Sequence, residues 1–595
     1  MDDQNKNLLL ATALSFAVIL VWFVMFPPAE QPATDPNAAV TAEATTPVAD
    51  TTAETAAAVA TAVTVEDAPR LTIETPRVSG SISTTGGRID TLALKDYRET
   101  QEEGSDIVSM LAPQGSANPY YTLFGWAPGQ GLSIDQVPGA NTQWSVAGNQ
   151  TLTPETPVTL VWDNGNGLTF RREMAIDENY MFSITQSVEN TSAATVSLAP
   201  YGVIARHGEP QDAKNFFILH EGLIAMADGE LSEQSYGDAT DFAVNQREGA
   251  RAEVTQVEEA GWVGFTDHYW MATLIPEAGF KSVMKYDERR DIYQTETVQP
   301  TQTLAPGATI TAATQLFAGA KEWETIRAYE NNAGVAGFID SIDWGWFFFF
   351  TKPIFWLLHT LNAMIGNMGW AIIGLTVVIK LLVFPLAYKS YASMAKMKEL
   401  QPQMEELKKA AGDDRQKMQQ GMMELYKKEK VNPAAGCLPI LIQIPIFFSL
   451  YKVIFVTLEL RHAPWAGWIT DLSAPDPSSI LNLFGLLAFT PPEPGSLLAI
   501  ISLGVMPILL GISMWLQQKL NPAPTDPTQQ MIFAWMPWVF MFMLGGFASG
   551  LVLYWITNNM ITFTQQYLIM RSHGYKPDVF GNIKSSFKRK EKAKE

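Results

Sequence analysis

Long apolar runs alternate with polar segments along this chain, and several runs approach the length needed to cross a membrane. A membrane-spanning helix requires about 17–25 predominantly apolar residues. The pattern predicts six transmembrane helices, at 1–26, 369–386, 436–458, 496–518, 531–546 and 549–568. The fifth is short for a full span, which would suit a locally thinned bilayer. The flank before the first run, MDDQNKN, is not net basic, so we expect an uncleaved anchor rather than a signal peptide.

A different pattern fills residues 70–333, where short runs alternate apolar and polar positions. Tyr180, Phe182 and Ile184 fall on one side of such a run, with polar residues between them. The sequence DNGNG at 163–167 separates two strand-like runs, as a hairpin turn does. Alternation of this kind over some 250 residues predicts a large antiparallel β-sandwich domain.

Two further segments connect these regions. Residues 27–69 are rich in Ala, Thr, Pro and acidic residues and contain neither Lys nor Arg, so we expect a flexible linker. Residues 334–366 are aromatic and amphipathic, and Trp344 and Trp346 mark them as a helix lying in the membrane interface.

Charge is sorted between the two halves of the chain. Residues 27–343 carry a net charge of −27, whereas residues 344–595 carry +8. Ten of the basic residues fall in the loop 387–433, which the positive-inside rule places in the cytoplasm. The tail 572–595 is basic too, so both termini are expected to be cytoplasmic and the acidic domain periplasmic. The pattern thus predicts a multi-pass protein of a bacterial inner membrane.

The cytoplasmic loop 387–433 is predicted to form a helical hairpin that divides at 412–414, with Asp413 as the N-cap of its second helix. Its methionines are Met394, Met397, Met404, Met418, Met422 and Met423, of which the first five are the candidate substrate contacts. These side chains either form the core of the hairpin or offer an adaptable surface to varied apolar segments.

Lys380 lies within the apolar run 369–386, about six residues from its C-terminal end. A charge at the centre of a membrane helix costs roughly 2.5–3.5 kcal/mol on insertion scales. The side chain either extends to the cytoplasmic headgroups or faces a polar cavity between helices. Thr376, one turn earlier, would point into the same space.

Residues that support catalysis or bind cofactors are scarce. The single cysteine, Cys437, forms no intrachain disulfide, and the six histidines show no metal-ligand spacing. We find no nucleotide-binding motif and no activated nucleophile, so neither a cofactor nor an enzymatic activity is predicted. A secondary transporter is the main alternative, but no span carries a central Asp or Glu and no inverted repeat is visible. A periplasmic ligand-binding module on a membrane anchor is another.

Residues 345–571 resemble the YidC-type membrane protein insertases, in the Gram-negative form with a large periplasmic domain. The stretches that carry the resemblance are MAKMKELQPQM, GDDRQKMQQGMMELYKKEKVNPAAGCLPILIQIPIF, ELRHAPWAGWITDLSAPDP, TDPTQQMIFAWMPW and SGLVLYWITNN. Lys380 falls where that family has a basic residue, more often arginine, in a water-filled groove. Thr376 and Trp555 match a threonine and an aromatic residue of the family.

The resemblance implies a five-helix insertase core at 367–571. A hydrophilic groove, open to the cytoplasm and to lipid, would insert inner-membrane proteins alone or with the Sec translocon. The groove residues it implies are Lys380, Thr376, Gln443, Tyr554 and Trp555. The partners it implies are nascent membrane proteins, the Sec translocon, the ribosome (through the basic hairpin and tail) and anionic lipids.

Overall fold

The computed structural model describes residues 69–210, 219–277, 279–412, 414–429, 438–487, 502–521, 527–575 and 577. The anchor expected at 1–26, nearly all of the linker 27–69 and most of the tail 572–595 lie outside the described residues.

Two sheets, antiparallel except where β1 pairs with β7, form the first half of the described chain. The strands are β1 (Arg70–Glu74), β2 (Val78–Ser83), β3 (Arg88–Arg98), β4 (Ile107–Leu111), β5 (Tyr120–Pro128), β6 (Ser145–Ala147), β7 (Thr151–Leu152), β8 (Val158–Asp163), β9 (Leu168–Ile176), β10 (Met181–Asn190), β11 (Val196–His207), β12 (Gly222–Ala227), β13 (Glu230–Ser235), β14 (Val244–Asn245), β15 (Ala250–Val257), β16 (Gly261–Thr266), β17 (Trp270–Pro276), β18 (Phe280–Asp287), β19 (Ile292–Val298), β20 (Gln302–Leu304) and β21 (Thr309–Ala320). One sheet has the order β14-β15-β18-β19-β11-β5-β3-β2-β1-β7, with β20 on β11 and β4 on β3. The other has the order β13-β12-β16-β17-β21-β10-β9-β8-β6.

The sheets share one apolar core, to which each contributes alternate residues. In β10, Phe182 and Ile184 are buried while Ser183 between them is exposed, because successive side chains of a strand point to opposite faces. Strands β8 and β9 are joined by the turn at 163–167, where Gly165 and Gly167 both adopt positive φ.

Helices dominate from residue 323 onward. They are α2 (Trp323–Ala333), α3 (Phe348–Ile365), α4 (Met368–Glu399), α5 (Gln401–Ala411), α6 (Arg415–Lys428), α7 (Leu438–Val456), α8 (Val505–Leu520), α9 (Pro527–Met543) and α10 (Ser549–Ser572), while the short α1 (Tyr236–Thr240) lies within the β domain. Four 3-10 turns complete the described elements, at Ile134–Gln136, Phe338–Ser341, Leu458–Leu460 and Leu483–Gly485.

Among the described residues, Met368–Glu399 is the helix that is long and apolar enough to cross a membrane, and Gln443–Val456 is a shorter apolar segment. The span expected at 496–518 is helical only from Val505 within the described part of the chain. The structure thus has a helical membrane region, and the count of six spans stays a prediction.

Two details of the expected hairpin were wrong. Residues 387–399 do not form a separate arm, because α4 continues through them to Glu399 without a Gly or Pro to interrupt it. The hairpin itself consists of α5 and α6. The N-cap of α6 is Asp414 rather than Asp413, since its carboxylate accepts hydrogen bonds from the backbone N–H of Gln416 and Lys417 at 3.0 Å each.

Glu322 ties α2 to the strands. Its carboxylate pairs with Arg77 and accepts hydrogen bonds from the hydroxyls of Tyr97 (2.5 Å), Tyr180 (3.0 Å) and Thr325 (2.8 Å). Burial by itself would raise the pKa of Glu322, but the hydrogen bonds from Arg77, Tyr97 and Thr325 outweigh it and hold the pKa below its ordinary value.

We expect Glu322→Gln to lower the free energy of unfolding of the β domain by about 2–3 kcal/mol at pH 7, because several donors lose a charged acceptor. The folded-state pKa of Glu322 is lowered, so its contribution is present above the ordinary glutamate pKa and is lost as the pH falls through the lowered one. Thermal unfolding of the full chain at neutral and acidic pH measures both effects. Glu173→Gln, on an exposed position of β9, is the matched control. An equal loss from both variants would contradict the expectation.

Candidate functional site

Three helices meet at the ammonium group of Lys380. Lys380 lies in α4, and its Nζ donates hydrogen bonds to Gln443 Oε1 on α7 at 3.2 Å and to Thr562 Oγ1 on α10 at 2.9 Å. Gln443 Nε2 in turn donates to the hydroxyl of Tyr554 on α10 at 2.7 Å. We call these four residues, Lys380, Gln443, Tyr554 and Thr562, the polar cluster. Lys380 thus contacts two neighbouring helices instead of extending along α4 to its end.

Thr376 is not joined to Lys380 by a hydrogen bond in the described part of the chain. Its hydroxyl donates to the backbone carbonyl of Ile372 at 2.7 Å, one turn earlier in α4, and the side chain is buried. A threonine in a helix often satisfies its hydroxyl in this way. The shared face expected for Thr376 and Lys380 therefore did not produce a shared polar contact.

Thr562 takes the role that sequence reasoning gave to Thr376. Tyr554, Asn558, Thr562 and Gln566 follow one another at four-residue intervals in α10, and all four side chains are buried. Residues at this spacing share one face of a helix. The interval was the signal in the sequence that would have identified Thr562.

Trp555 belongs to an aromatic group beside the polar cluster. Its ring lies 4.7 Å from that of Phe447 on α7 and 6.2 Å from that of Phe540 on α9. Because Trp555 follows Tyr554 directly, it points to a different side of α10. Trp555 therefore packs three helices together and does not join the hydrogen-bonded set.

The methionines of the cytoplasmic side have different environments. Met394 is buried against Tyr391 and Ile569, so it holds α4 to α10, and Met397 packs partly against the same group. Met404 packs with Leu400 and Leu425 in the hairpin core. Met418 and Met422 on α6 are half-buried. The exposed methionine is Met423, with 54% of its surface accessible.

The polar cluster holds a positive charge without a carboxylate. Within the described residues, the hydrogen-bond partners of Lys380 are an amide oxygen and a hydroxyl oxygen, which are neutral. An ammonium group has three donors, and these partners engage two of them. The described residues also contain no group of three or more His, Cys, Asp or Glu that could hold a metal ion. The arrangement can attract a negative group.

Comparisons with family models and with known proteins point to the same family for both halves of the chain. The family model described as YidC periplasmic domain matches residues 70–357, and the one described as 60Kd inner membrane protein matches residues 360–576. A membrane protein insertase YidC of Ruegeria pomeroyi is 67% identical over 100% of both chains. One of Roseobacter denitrificans is 68% identical over 100% of this chain and 99% of its own. A crystal structure of an active YidC insertase, with its first transmembrane domain resolved, is 17% identical, covers 84% of this chain and 94% of its own, and has a TM-score of 0.34.

We expect Thr562→Val to destabilise the helical region by about 1–3 kcal/mol, because the half-buried ammonium of Lys380 loses an acceptor and Tyr391 loses its hydrogen bond with the same hydroxyl. Thr564→Val is a matched control on the same helix, since that hydroxyl is exposed and bonds only to the carbonyl of Met560 among the described contacts. Thermal unfolding of both variants in detergent measures the difference. If Thr562→Val were no more destabilising than Thr564→Val, the hydrogen bond to Lys380 would not contribute to stability.

Proposed function

The chain belongs to the YidC family of membrane protein insertases, and we propose that its polar cluster attracts the acidic flank of an incoming polypeptide during insertion. Proteins of this family are inner-membrane proteins with a periplasmic domain, and nascent membrane proteins are their substrates. In the proposed mechanism Lys380 pairs with an acidic residue of the substrate's polar flank. Until that contact forms, Gln443 and Thr562 accept hydrogen bonds from the ammonium in place of water and hold it in position.

The uncompensated charge of Lys380 is the observation that carries this proposal. Its neutral partners leave one donor of the ammonium without a described acceptor. A substrate carboxylate that accepts from this donor forms a charge-assisted hydrogen bond, which is about twice as strong as a neutral one. A resident carboxylate would already occupy the ammonium, so its absence from the described partners favours a transient one.

The apolar part of the substrate has a surface of its own next to the polar cluster. Leu381 and Leu382, directly after Lys380 in α4, are 64% and 74% exposed. On α7, Ile444 is 45% exposed directly after Gln443. An apolar segment can pack against these side chains while its flank contacts Lys380, and it then leaves sideways into lipid.

The energetic task is to move a polar flank across hydrocarbon. Each charge or unpaired backbone group costs several kcal/mol in that medium. A groove that is open to the cytoplasm and to lipid offers polar partners to the flank partway across the membrane. The free-energy cost of crossing is thereby divided into smaller steps. The membrane potential adds about 2.3 kcal/mol per charge for each 100 mV. Partitioning of the apolar segment into lipid then completes insertion.

The proposal also covers the membrane topology of the chain and its binding partners other than the substrate. Six spans with both termini in the cytoplasm place the basic hairpin α5–α6 and the basic tail 572–595 on the side where ribosomes and anionic lipids lie. Insertion proceeds alone or together with the Sec translocon.

We expect insertion of a single-span substrate with an acidic translocated flank to depend on the charge at position 380. Lys380→Arg should retain insertion, whereas Lys380→Gln, Lys380→Leu and Lys380→Glu should slow it by about tenfold or more, the loss of one charge-assisted contact. Liposomes with matched amounts of each full-length variant provide the measurement. Lys389→Gln, on an exposed position of the same helix, is the control.

A second substrate, with a neutral flank, separates attraction from hydration. It should be inserted by Lys380→Gln at nearly the rate of the unmodified protein. If Lys380→Gln handled both substrates normally, hydration alone would suffice and the attraction step would be wrong. If Lys380→Leu and Lys380→Glu also inserted both normally, the polar cluster would have no part in insertion.

A further inference from the structure

A cavity of about 1180 Å³, lined by none of the four residues of the polar cluster, lies where the β domain meets the helices. Its walls come from the edge strand β13, the segment before α3, the start of α3 and the part of α7 near its C-terminal end. The lining residues used below are Glu233, Asp340, Asp343, Trp346, Lys352 and Lys452.

Two of the three carboxylates that line this cavity are in ion pairs, and the third is not. Asp343 pairs with Lys452 and also accepts a hydrogen bond from the backbone N–H of His220 at 2.9 Å. Asp340 pairs with Lys352 at 2.5 Å, and both side chains are about one third exposed. Glu233 is the third carboxylate, and it has no hydrogen bond or ion pair within the described part of the chain. Burial lowers the pKa of His220, so the histidine adds no positive charge. Of the three carboxylates that line the cavity, Glu233 is thus the one without an ion pair in the described part of the chain, although Lys452 and the buried Lys321 lie near enough to act on its charge.

Glu233 is held in an environment that favours a cationic partner. Crowding by neighbouring protein atoms, followed by the negative charge of Asp343, raises the pKa of Glu233 to about 7. The carboxylate is nevertheless accessible from the cavity. A ligand ammonium beside the Glu233 carboxylate would stabilise its charged form. It would thus offset both the burial and the negative charge of Asp343.

Aromatic rings surround the cavity and its opening. Trp346 is 93% exposed, and Phe348 and Phe349 are more than half exposed. The Nζ of Lys352 lies 6.0 Å from the ring centroids of both Trp344 and Phe348. Tryptophan and phenylalanine in such a position insert into the boundary between headgroups and acyl chains. With α3 in the membrane interface, as the sequence predicts, the opening faces the periplasmic surface of the membrane.

We propose that this cavity binds the headgroup of phosphatidylethanolamine from the outer leaflet of the inner membrane. The primary ammonium of the lipid donates to Glu233, and its phosphate accepts from Lys352, which exchanges Asp340 for the phosphate. The exposed rings of Trp346 and Phe348 contact the glycerol and the upper acyl chains. An anionic glycerol headgroup has no ammonium to pair with Glu233, and a choline headgroup has no N–H to donate to it. This site is independent of the polar cluster and of insertion.

Retention of lipid by the purified full chain tests the proposal. Protein in micelles with equal amounts of phosphatidylethanolamine, phosphatidylcholine and phosphatidylglycerol is analysed by native mass spectrometry for the lipid that stays bound. We expect phosphatidylethanolamine to be retained about fivefold over each of the others, as one charge-assisted contact allows. Glu233→Gln should abolish this preference, whereas Glu230→Gln, on an exposed position of the same strand outside the cavity, should keep it.

A second pair of variants tests the aromatic opening. Trp346→Ala should reduce retention of all bound lipid, while Trp356→Ala, exposed on α3 but outside the cavity, should not. Retention of the preference in Glu233→Gln would overturn the proposal. So would displacement of the lipid by an equal concentration of free phosphoethanolamine, since the site would then recognise a soluble compound and not a membrane lipid.

Discussion

The helical region depends on the need to satisfy one ammonium group among apolar helices. Leaving the charge of Lys380 unpartnered in hydrocarbon is costly, so polar atoms from other helices must reach it. Gln443 of α7 and Thr562 of α10 do so, and this requires α4, α7 and α10 to approach one another at one depth. Helices in lipid gain little from apolar contact alone, so such interhelical hydrogen bonds help to specify their arrangement. The same ammonium that orients the three helices is the group that we propose to attract a substrate.

The β domain fixes the opposite end of α7. His268, in the turn between β16 and β17, stacks on the ring of Phe455, and its Nε2 lies 2.6 Å from the carbonyl oxygen of the same residue. Arg461, just beyond α7, donates to the carbonyl of Arg98 at 2.7 Å. Gln443 stands about three turns away on α7. A helix attached at its periplasmic end and hydrogen-bonded at its other half cannot rotate freely, so the β domain contributes to the position of the polar cluster.

Patterns within a single element were readable from the sequence, whereas contacts between elements were less so. The alternation around Phe182 and the apolar run around Lys380 follow from the periods of strands and helices, and these features need no knowledge of neighbours. Thr376 was assigned to the site because it shares a helical face with Lys380, but its hydroxyl satisfies itself on Ile372 instead. Thr562 lies 182 residues away from Lys380 in sequence, and the choice between the two hydroxyls depended on how α10 turns toward α4. Only the four-residue interval of polar residues in α10 hinted at it.

Lysine suits this position for a geometric reason. Its ammonium has three donors on a flexible stem, and two neutral acceptors leave one donor directed elsewhere. A guanidinium at the same place would present five donors in a fixed plane to the same two acceptors. Each buried donor without a partner costs about 1–3 kcal/mol, unless water fills the remaining space. The compact cluster of Gln443, Tyr554 and Thr562 is thus matched to a point charge, so the attraction that we propose for a substrate would rest on charge and not on bidentate geometry.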